Sequence, residues 1–277
     1  MSKQVSILKA DGDREVFERG KLEASLLRVG VAPVTVKEIA DHIEGELVDG
    51  VTTSDIYRHA FNLIRKHQKP VAAKYSLRRA LTGLGPTGFP FEKFIAEIFK
   101  QRGFETQIDQ MVQGACVPHE MDVVAYNADK LIMSEVKFHN ELGYKTDLKV
   151  ALYVKARFDD LKKSTFEYGG KARPLDEGWL ITNTKFSQTA IDYGRCAGLT
   201  MVGWNYPEKG NLEDLIEESG LHPITCLSGL SESHLAELFK RGVVLCKTLK
   251  ADPSLLPAIG LTGAKITEVN EEIASLC

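Results

Sequence analysis

Acidic residues and a lysine recur at alternate positions in two neighbouring stretches of this sequence. The stretches span residues 119–126 and 131–137, and a polar segment, 127–130, joins them. Both are rich in β-branched and large apolar residues, which predicts two antiparallel strands joined by a short loop. Because side chains alternate along a strand, we expect one face of this hairpin to be charged. Its members would be Glu120, Asp122, Glu135 and Lys137.

The register of the hairpin decides which charges meet. If Tyr126 pairs with Leu131, then Asp122 lies opposite Glu135. Like charges placed opposite each other destabilise a sheet, so this pair needs a compensating cation. Carboxylate oxygens suit Mg²⁺, which keeps several waters and accepts phosphate oxygens. Lys137 could then orient a water or neutralise charge on a phosphate, which indicates metal-assisted phosphodiester hydrolysis. The alternative is an exposed strand with ordinary surface ion pairs.

The order of elements around the hairpin resembles the restriction-endonuclease-like (PD-(D/E)xK) superfamily, in particular its Mrr-like branch. A helix is predicted over residues 91–99, and a strand begins near residue 103. After the hairpin, the pattern predicts a helix over 147–161, a short buried strand over 178–183 and a last strand over 200–204. The resemblance implies an α/β nuclease domain with a mixed sheet over residues 86–210.

This resemblance also assigns roles to individual residues. It implies that Asp122 and Glu135 bind Mg²⁺ or Mn²⁺ and that Lys137 assists catalysis, with DNA as the expected nucleic acid. A glutamate on the first helix often joins the site in this superfamily, and Glu92 matches it best, with Glu97 in reserve. The proline that commonly precedes the aspartate is replaced here by Met121.

The first 85 residues have a different motif. A predicted hairpin with an Asp-Gly turn, from Val5 to Phe17, precedes four predicted helices, the third of which Thr53 or Ser54 could cap. This arrangement resembles the ATP-cone, a small α+β domain that binds regulatory nucleotides such as ATP and dATP. One position departs from the usual pattern, because Ala10 replaces a common arginine. The residues that match nucleotide contacts in the family are Lys9, Gly12, Glu15, Lys21, Thr53 and Tyr57.

The third predicted domain, residues 211–277, contains an internal repeat. Gly229 to Leu238 aligns with Gly260 to Val269, and each unit has Gly-Leu, a Ser or Thr and helix-spaced apolar residues. The repeat resembles a helix-hairpin-helix domain, which would offer glycine amides to a nucleic-acid phosphate. The segment has five basic and ten acidic residues, however, a charge balance that is unfavourable for DNA. Packing or dimerisation is the alternative role.

Composition sets outer limits on these predictions. The chain has 277 residues, 43% of them hydrophobic, which is enough for two or three modest cores. Its net charge of −3 means that any nucleic-acid surface must be local. The five cysteines lack Cys-x-x-Cys spacing, which favours free thiols in a reducing cytosol. The sequence has neither an apolar signal core nor a membrane-length apolar run. We therefore expect a cytoplasmic protein.

Taken together, the sequence predicts an α/β multidomain protein: a Mg²⁺-dependent deoxyribonuclease whose cone binds ATP or dATP and adjusts activity or assembly, with a homo-oligomer expected. Two alternatives remain open. The chain could be a nucleotide-responsive nucleic-acid-binding regulator with an inactive nuclease fold. It could also be an assembly protein in which the cone and the tail only oligomerise the chain.

Overall fold

The computed structural model of the protein describes residues 5–9, 12–85 and 87–277. The predicted hairpin turn is therefore described in part, since Ala10 and Asp11 lie outside these residues. The N-terminal elements are β1 (Ser6–Leu8), β2 (Arg14–Val16), α1 (Arg19–Arg28), α2 (Pro33–Glu46), β3 (Val51–Thr52), α3 (Thr53–His67) and α4 (Lys69–Thr82). They agree with the predicted hairpin and four helices.

A small sheet with the order β2-β1-β3 packs against these helices. Strand β1 is antiparallel to β2 and parallel to β3, and Leu8 pairs with Thr52. The side chain of Thr52 accepts a hydrogen bond of 3.0 Å from the backbone N–H of Asp55, so Thr52 is the N-cap of α3. The predicted caps, Thr53 and Ser54, are wrong by one and two positions, because the short strand β3 ends directly at the helix.

The central part contains a five-stranded mixed sheet with the order β12-β10-β6-β5-β4. In this sheet β5 is antiparallel to β4 and to β6. Strand β10 is parallel to β6 and to β12. Its elements are α5 (Phe89–Gln101), β4 (Glu105–Gln113), β5 (Pro118–Tyr126), β6 (Leu131–Lys137), β7 (Lys145–Thr146), α6 (Leu148–Leu161), β8 (Thr165–Tyr168), β9 (Lys171–Pro174), β10 (Glu177–Thr182), β11 (Lys185–Phe186), α7 (Gln188–Ala197) and β12 (Thr200–Val202). The predicted mixed sheet is present.

Helices cover both faces of this sheet. Helix α5 has Pro90 in its first turn, a position that proline tolerates, and it buries apolar residues at helical spacing against one face. Helix α6 begins after Asp147, whose carboxylate accepts from the N–H of Val150, and it packs on the other face. On β5, Val123 lies in the cluster with α5 and Val124 in the cluster with α6. The sheet therefore separates two hydrophobic clusters.

The C-terminal part is helical and shares a core with its neighbours. One cluster runs from α4 through α5 and the sheet to the last helix, and the hydroxyl of Thr225 donates to the carbonyl of Ala80 at 2.7 Å. The elements are α8 (Leu212–Ser219), a 3₁₀ turn (Ile224–Cys226), α9 (Glu232–Lys240), α10 (Cys246–Ala251), α11 (Leu255–Ala258) and α12 (Ala264–Leu276). The fold is α/β as predicted, and the division at residues 85 and 210 stays a prediction.

The repeated glycines of the tail make contacts within the protein. The N–H of Gly229 donates to a carboxylate oxygen of Glu272 at 3.3 Å, and the N–H of Gly260 donates to the carbonyl of Pro257 at 2.9 Å. A Cβ at Gly229 would lie only 2.5 Å from Val269. The structure does not support the expected phosphate contact, because both amides already have acceptors. None of the described helices has the length and apolar character needed to cross a membrane.

Candidate active site

The hairpin of β5 and β6 has the register that the sequence predicts, with Tyr126 paired with Leu131. Regular pairing continues to Val123 and Ser134. At the next position, the Asp122 carboxylate accepts a 2.6 Å hydrogen bond from the backbone N–H of Val136. The aspartate side chain therefore occupies a backbone hydrogen-bonding position where the regular ladder ends.

The side chains of β5 change their alternation at the same point. Met121 and Val124 are three positions apart, yet both belong to the cluster with α6, whereas regular alternation would put them on opposite faces. On the neighbouring β4, Asp109 has a left-handed backbone with φ 53°, which non-glycine residues seldom adopt. The prediction that Glu120 shares the face of Glu135 depended on unbroken alternation, and the structure contradicts that premise.

Glu135 is held by three side chains. It is 3% exposed, and one carboxylate oxygen lies 2.5 Å from Lys137 Nζ and accepts from the Tyr153 hydroxyl at 3.2 Å. The other oxygen is paired with Arg157, which also donates to the carbonyl of Glu120 at 3.2 Å. Burial lowers the pKa of Lys137, but the hydrogen bond to Glu135, the charge of Glu135 and the contact with Tyr153 together outweigh burial and leave the net pKa raised. Lys137 is therefore a cation at neutral pH.

Glu92 and Asp122 form the acidic end of the site. Burial, reinforced by the charge of Glu135, raises the pKa of Asp122 to about 6. Burial raises the pKa of Glu92 to about 7, with further contributions from the charges of Asp122, Asp109 and Glu120. Repulsion among these carboxylates is the electrostatic setting that a cation relieves.

Glu97, the reserve glutamate, lies elsewhere on α5. Its carboxylate pairs with Lys100 at 2.6 Å, an ordinary contact between residues three apart on a helix. Of the two glutamates, Glu92 is the one whose charge environment includes Asp122 and Lys137. The structure thus brings together the four predicted residues Glu92, Asp122, Glu135 and Lys137, while their catalytic role stays a prediction.

Three residues of the site were not anticipated from the sequence: Asp109, Tyr153 and Arg157. Tyr153 and Arg157 are four positions apart and share a face of α6 beside its apolar stripe. Lys137 and Arg157 each lie 5.7 Å from the centre of the Tyr153 ring. The i, i+4 spacing was the available signal. Nothing in the sequence marks Asp109 as having a left-handed backbone.

The segment after Lys137 extends the site into an open cleft of about 530 Å³, whose walls include Lys137, Tyr144 and Gly88. His139 lies 3.1 Å from the hydroxyl of Thr146, and its ring packs 4.1 Å from that of Tyr144. Burial lowers the pKa of His139, and the nearby Lys137 lowers it further. The cleft wall beside the ammonium group therefore carries a neutral imidazole at pH 7.

Three of the predicted nucleotide contacts, Lys9, Glu15 and Lys21, lie close together in the cone. Lys9 and Lys21 approach one oxygen of Glu15, at 2.6 and 3.5 Å, and the hydrogen bond from Lys9 lowers the pKa of Glu15. Gly12 closes the turn with φ 89°, and its N–H donates to the Lys9 carbonyl at 3.1 Å. Thr53 comes directly after Thr52, which pairs with Leu8 where β1 meets β3.

Tyr57 lies one turn after Thr53 on α3, but its contacts run toward α4. Its ring stacks on that of Tyr75 at 5.0 Å, and the guanidinium of Arg79 lies 4.3 Å above it. Tyr57 also lines a cavity of about 800 Å³ between α3, α4 and α9. Of the six predicted nucleotide residues, Tyr57 is the one that lines this cavity.

Helix α4 connects the cone to the candidate active site. Arg78 donates to the carbonyl of Leu142, at 3.0 Å, in the segment that follows Lys137. A Cβ at Gly85, just after α4, would lie 2.6 Å from Asn140 and 2.8 Å from Phe138. The backbone after α4 and the cleft wall are therefore in close contact.

Comparison with known proteins finds matches at both ends of the chain and over a large part of its length. Residues 5–83 match the ATP cone domain model, and residues 222–277 match the model described as AF1548-like, C-terminal. An uncharacterized protein of Archaeoglobus fulgidus is 41% identical over 179 residues, which are 64% of this chain and 97% of that protein. The crystal structure of a protein of unknown function, AF1548, is 38% identical with a TM-score of 0.53, over 69% of this chain and 96% of that one. With an ATP-cone domain at its N-terminus, the chain belongs to the AF1548-like family.

Proposed function

We propose that the protein is a metal-dependent nuclease, with DNA as its substrate, whose activity or assembly responds to adenine nucleotide bound by the cone. The observation that carries this proposal is the proximity of Glu92, Asp122, Glu135 and Lys137, whose charges act on one another beside the cleft that Lys137 lines. The acids come from a helix and two strands, and burial, reinforced by their mutual repulsion, raises the pKa of Glu92 and of Asp122. Raised carboxyl pKa values in a cleft are a feature of functional sites.

The donor set fits a hard divalent cation at one end of the site. Asp122 and Glu92 offer carboxylate oxygens, which Mg²⁺ and Mn²⁺ prefer. Glu135 fits less directly, because Lys137 and Arg157 already pair with its two oxygens. When bound, the ion would supply charge stabilisation at the phosphate and acidify a bound water. The predicted ligand Glu135 could contribute only if its pair with Arg157 opened.

The chain's own cations have distinct tasks in this proposal. Lys137 keeps its proton at neutral pH, so it would bind a phosphate oxygen or orient a water rather than act as a base. Arg157, fixed between Glu135 and the Glu120 carbonyl, would neutralise negative charge beside the scissile group. Glu92, with a pKa of about 7, could accept a proton from a water near neutral pH.

Regulation by nucleotide is supported by the ATP-cone match and by the convergence of Lys9, Glu15 and Lys21. A nucleotide can alter cleavage only by binding two conformational or assembly states with different affinity. The hydrogen bond between Arg78 and the carbonyl of Leu142 joins α4 to the segment that follows Lys137. A conformational change in the cone could therefore reach the cleft through this contact.

The direct test incubates the full chain with supercoiled DNA, single-stranded DNA and RNA in Mg²⁺, with and without ATP. We expect cleavage of DNA that EDTA stops, that Asp122→Asn abolishes, and that ATP changes. If no nucleic acid is cleaved in Mg²⁺ or Mn²⁺ under any of these conditions, the nuclease proposal is wrong.

One observation favours a second candidate, the nucleotide-responsive regulator with a silent nuclease fold. The Glu135 carboxylate is saturated by Lys137, Tyr153 and Arg157, as it would be in a site that only binds phosphate. This candidate would be supported if the parent protein bound DNA tightly without cleaving it and if Asp122→Asn left the affinity unchanged.

A further inference from the structure

Two histidines and a glutamate meet on the surface of the cone. His42 and Glu46 are one turn apart on α2, and His59 projects from α3. His42 Nε2 lies 3.5 Å from one oxygen of Glu46, and His59 Nδ1 lies 3.6 Å from the other. The two imidazole rings are 5.0 Å apart, edge to face. One ligand atom from each residue lies within 4.8 Å of both others.

These separations match a metal site better than they match hydrogen bonds. Hydrogen bonds from a charged nitrogen to a carboxylate are typically about 2.7–2.9 Å, so both N···O distances are long. Donors held about 2.1 Å from a tetrahedral Zn²⁺ lie roughly 3.4 Å from one another. The separations of 3.5 and 3.6 Å, each to a different oxygen of Glu46, are close to the edge of such a tetrahedron. Rotation of the Glu46 carboxylate and of the imidazole rings would bring one ligand atom from each residue, now within 4.8 Å of one another, to a shared ion.

We propose that His42, Glu46 and His59 bind Zn²⁺ or a similar transition-metal cation, such as Co²⁺ or Ni²⁺, with a fourth position open to water or another ligand. Imidazole nitrogen and carboxylate oxygen are ordinary ligands for these ions. The donor set differs from that of the oxygen-only pair Glu92 and Asp122, so the two sites select different metals. The site is independent of the proposed nuclease chemistry.

An ion in this site would join α2 to α3. The three residues lie on separate turns of two helices and are not held together in the unfolded chain, so ion binding favours the folded cone. Helix α3 begins at Thr53, directly after the pairing of Thr52 with Leu8, and it carries the predicted nucleotide residues Thr53 and Tyr57. The bound ion would therefore stabilise the helix that reaches the predicted nucleotide contacts.

The test titrates Zn²⁺ and Co²⁺ into the full chain by calorimetry and follows the visible spectrum of bound Co²⁺. We expect one site, and a melting temperature that rises with Zn²⁺. Loss of an outer-shell partner of a metal ligand costs roughly 10–100-fold in affinity, so His59→Ala and Glu46→Gln should each weaken binding by at least that much. Glu38→Gln, which removes an exposed acid from the same helix, should bind like the parent.

One further variant and the Co²⁺ spectrum separate this site from other metal donors in the chain. Asp122→Asn should leave Co²⁺ binding unchanged, because that carboxylate belongs to the other site. The Co²⁺ spectrum should lack thiolate charge-transfer bands, which would assign the ion to cysteines. His42 and Glu46 are exposed and His59 is partly exposed, so the variants should fold, and circular dichroism checks this. Binding that survives both His42→Ala and His59→Ala, or no Zn²⁺ binding at micromolar concentration, would overturn the proposal.

Discussion

Asp122 makes the stability of the protein depend on pH in a direction that can be worked out. Its pKa is raised from 3.8 to about 6 in the folded protein, so the folded state binds this proton more tightly than the unfolded chain. Its contribution is therefore most favourable below about pH 4 and is lost as pH rises toward 6. At neutral pH, without metal, the ionised Asp122 destabilises the fold.

Asp122→Asn should consequently stabilise the metal-free protein. The amide oxygen can still accept from the Val136 N–H, while the repulsion with Glu135 disappears. In EDTA at pH 7 we expect a melting temperature a few degrees above that of the parent, a change of about 1 kcal/mol in the free energy of unfolding. At pH 4 the difference should vanish. Thermal melts at both pH values check this, and a lower melting temperature for the variant at pH 7 would contradict it.

The ionisation of Glu92 and Asp122 should also appear in catalysis. A divalent cation competes with protons for carboxylates, and these two have pKa values of about 7 and 6. We expect cleavage to rise with pH between about 6 and 7.5. Higher Mg²⁺ should move the midpoint to lower pH, because metal displaces the protons. Rate profiles at two Mg²⁺ concentrations measure this, and a midpoint that does not depend on Mg²⁺ would separate the titration from metal binding.

For individual residues, the sequence predicted which strand positions pair better than it predicted what surrounds each side chain. The pairing of Tyr126 with Leu131 followed from the short loop between two strands. The break in alternation at Asp122 occurs beside a left-handed Asp109 on another strand, and the partner of Glu135, Arg157, comes from a later helix. Both depend on tertiary contacts that the local pattern does not contain.

At the scale of elements, helix α6 controls how available Glu135 is to a metal. Arg157→Met keeps an unbranched, largely apolar side chain but removes one cation from the site, and Lys137 still pairs with Glu135. We expect the Mg²⁺ concentration for half-maximal cleavage to fall, by roughly tenfold, because an attraction that competes with the metal is lost. Cleavage rates across a Mg²⁺ titration measure this.

Lys155→Met provides the matched control for this experiment. It removes a cation from the same helix, but that cation pairs with Asp159 at 2.5 Å and not with Glu135. Its Mg²⁺ requirement should remain that of the parent. A Mg²⁺ requirement that increases in Arg157→Met would mean that the guanidinium assists the metal-bound state and does not compete with it.

The hairpin and first helix of the cone should act together on a nucleotide. Lys9 and Lys21 lie within 3.5 Å of the same Glu15 oxygen, so both ammonium groups can reach one triphosphate. We expect Lys9→Ala with Lys21→Ala to weaken ATP binding at least tenfold in calorimetry, while Lys37→Ala, on the exposed face of α2, leaves it unchanged. Light scattering should show whether ATP also changes the oligomer. Undetectable ATP binding by the parent at millimolar concentration would refute the regulatory role. This measurement matters because Ala10 replaces an arginine that is common at this position in ATP-cones.

Elements with a strong local period were predicted well, and their partners were not. Helix α6 followed from its apolar spacing, with a start one residue too early, because Asp147 is the N-cap and not part of the helix. By contrast, the shared packing of α4 with α5 and α12 was not predicted, because the apolar face of α4 does not specify which element covers it. A short loop fixes a neighbour, whereas long-range packing does not follow from sequence spacing.

At the scale of the whole molecule, α4 belongs to two cores. Its first half packs with the cone helices through Ala72 and Tyr75, and its second half, including Leu77 and Leu81, packs with α5 and the C-terminal helices. A shift of α4 on nucleotide binding would therefore disturb the surroundings of the cleft. Because packed cores favour discrete arrangements, such a helix is suited to link the two sites.

Arg78 is the position where this link can be cut most selectively. Its guanidinium donates to the carbonyl of Leu142 in the segment that follows Lys137, and it contacts none of the predicted nucleotide residues Lys9, Glu15 and Lys21. We expect Arg78→Ala to retain ATP binding while the effect of ATP on the cleavage rate shrinks, by a factor of roughly 5 or more, the lower end of typical allosteric coupling.

The control for this change is Lys74→Ala, one turn earlier on α4 and exposed, which removes the same charge from the same helix but leaves the Leu142 contact. Its response to ATP should match that of the parent. Calorimetry and cleavage rates on the three proteins separate the outcomes. Loss of ATP binding in Arg78→Ala would place Arg78 in the nucleotide site, whereas an unchanged ATP effect would show that the coupling travels through the shared apolar core of α4 and not through this hydrogen bond.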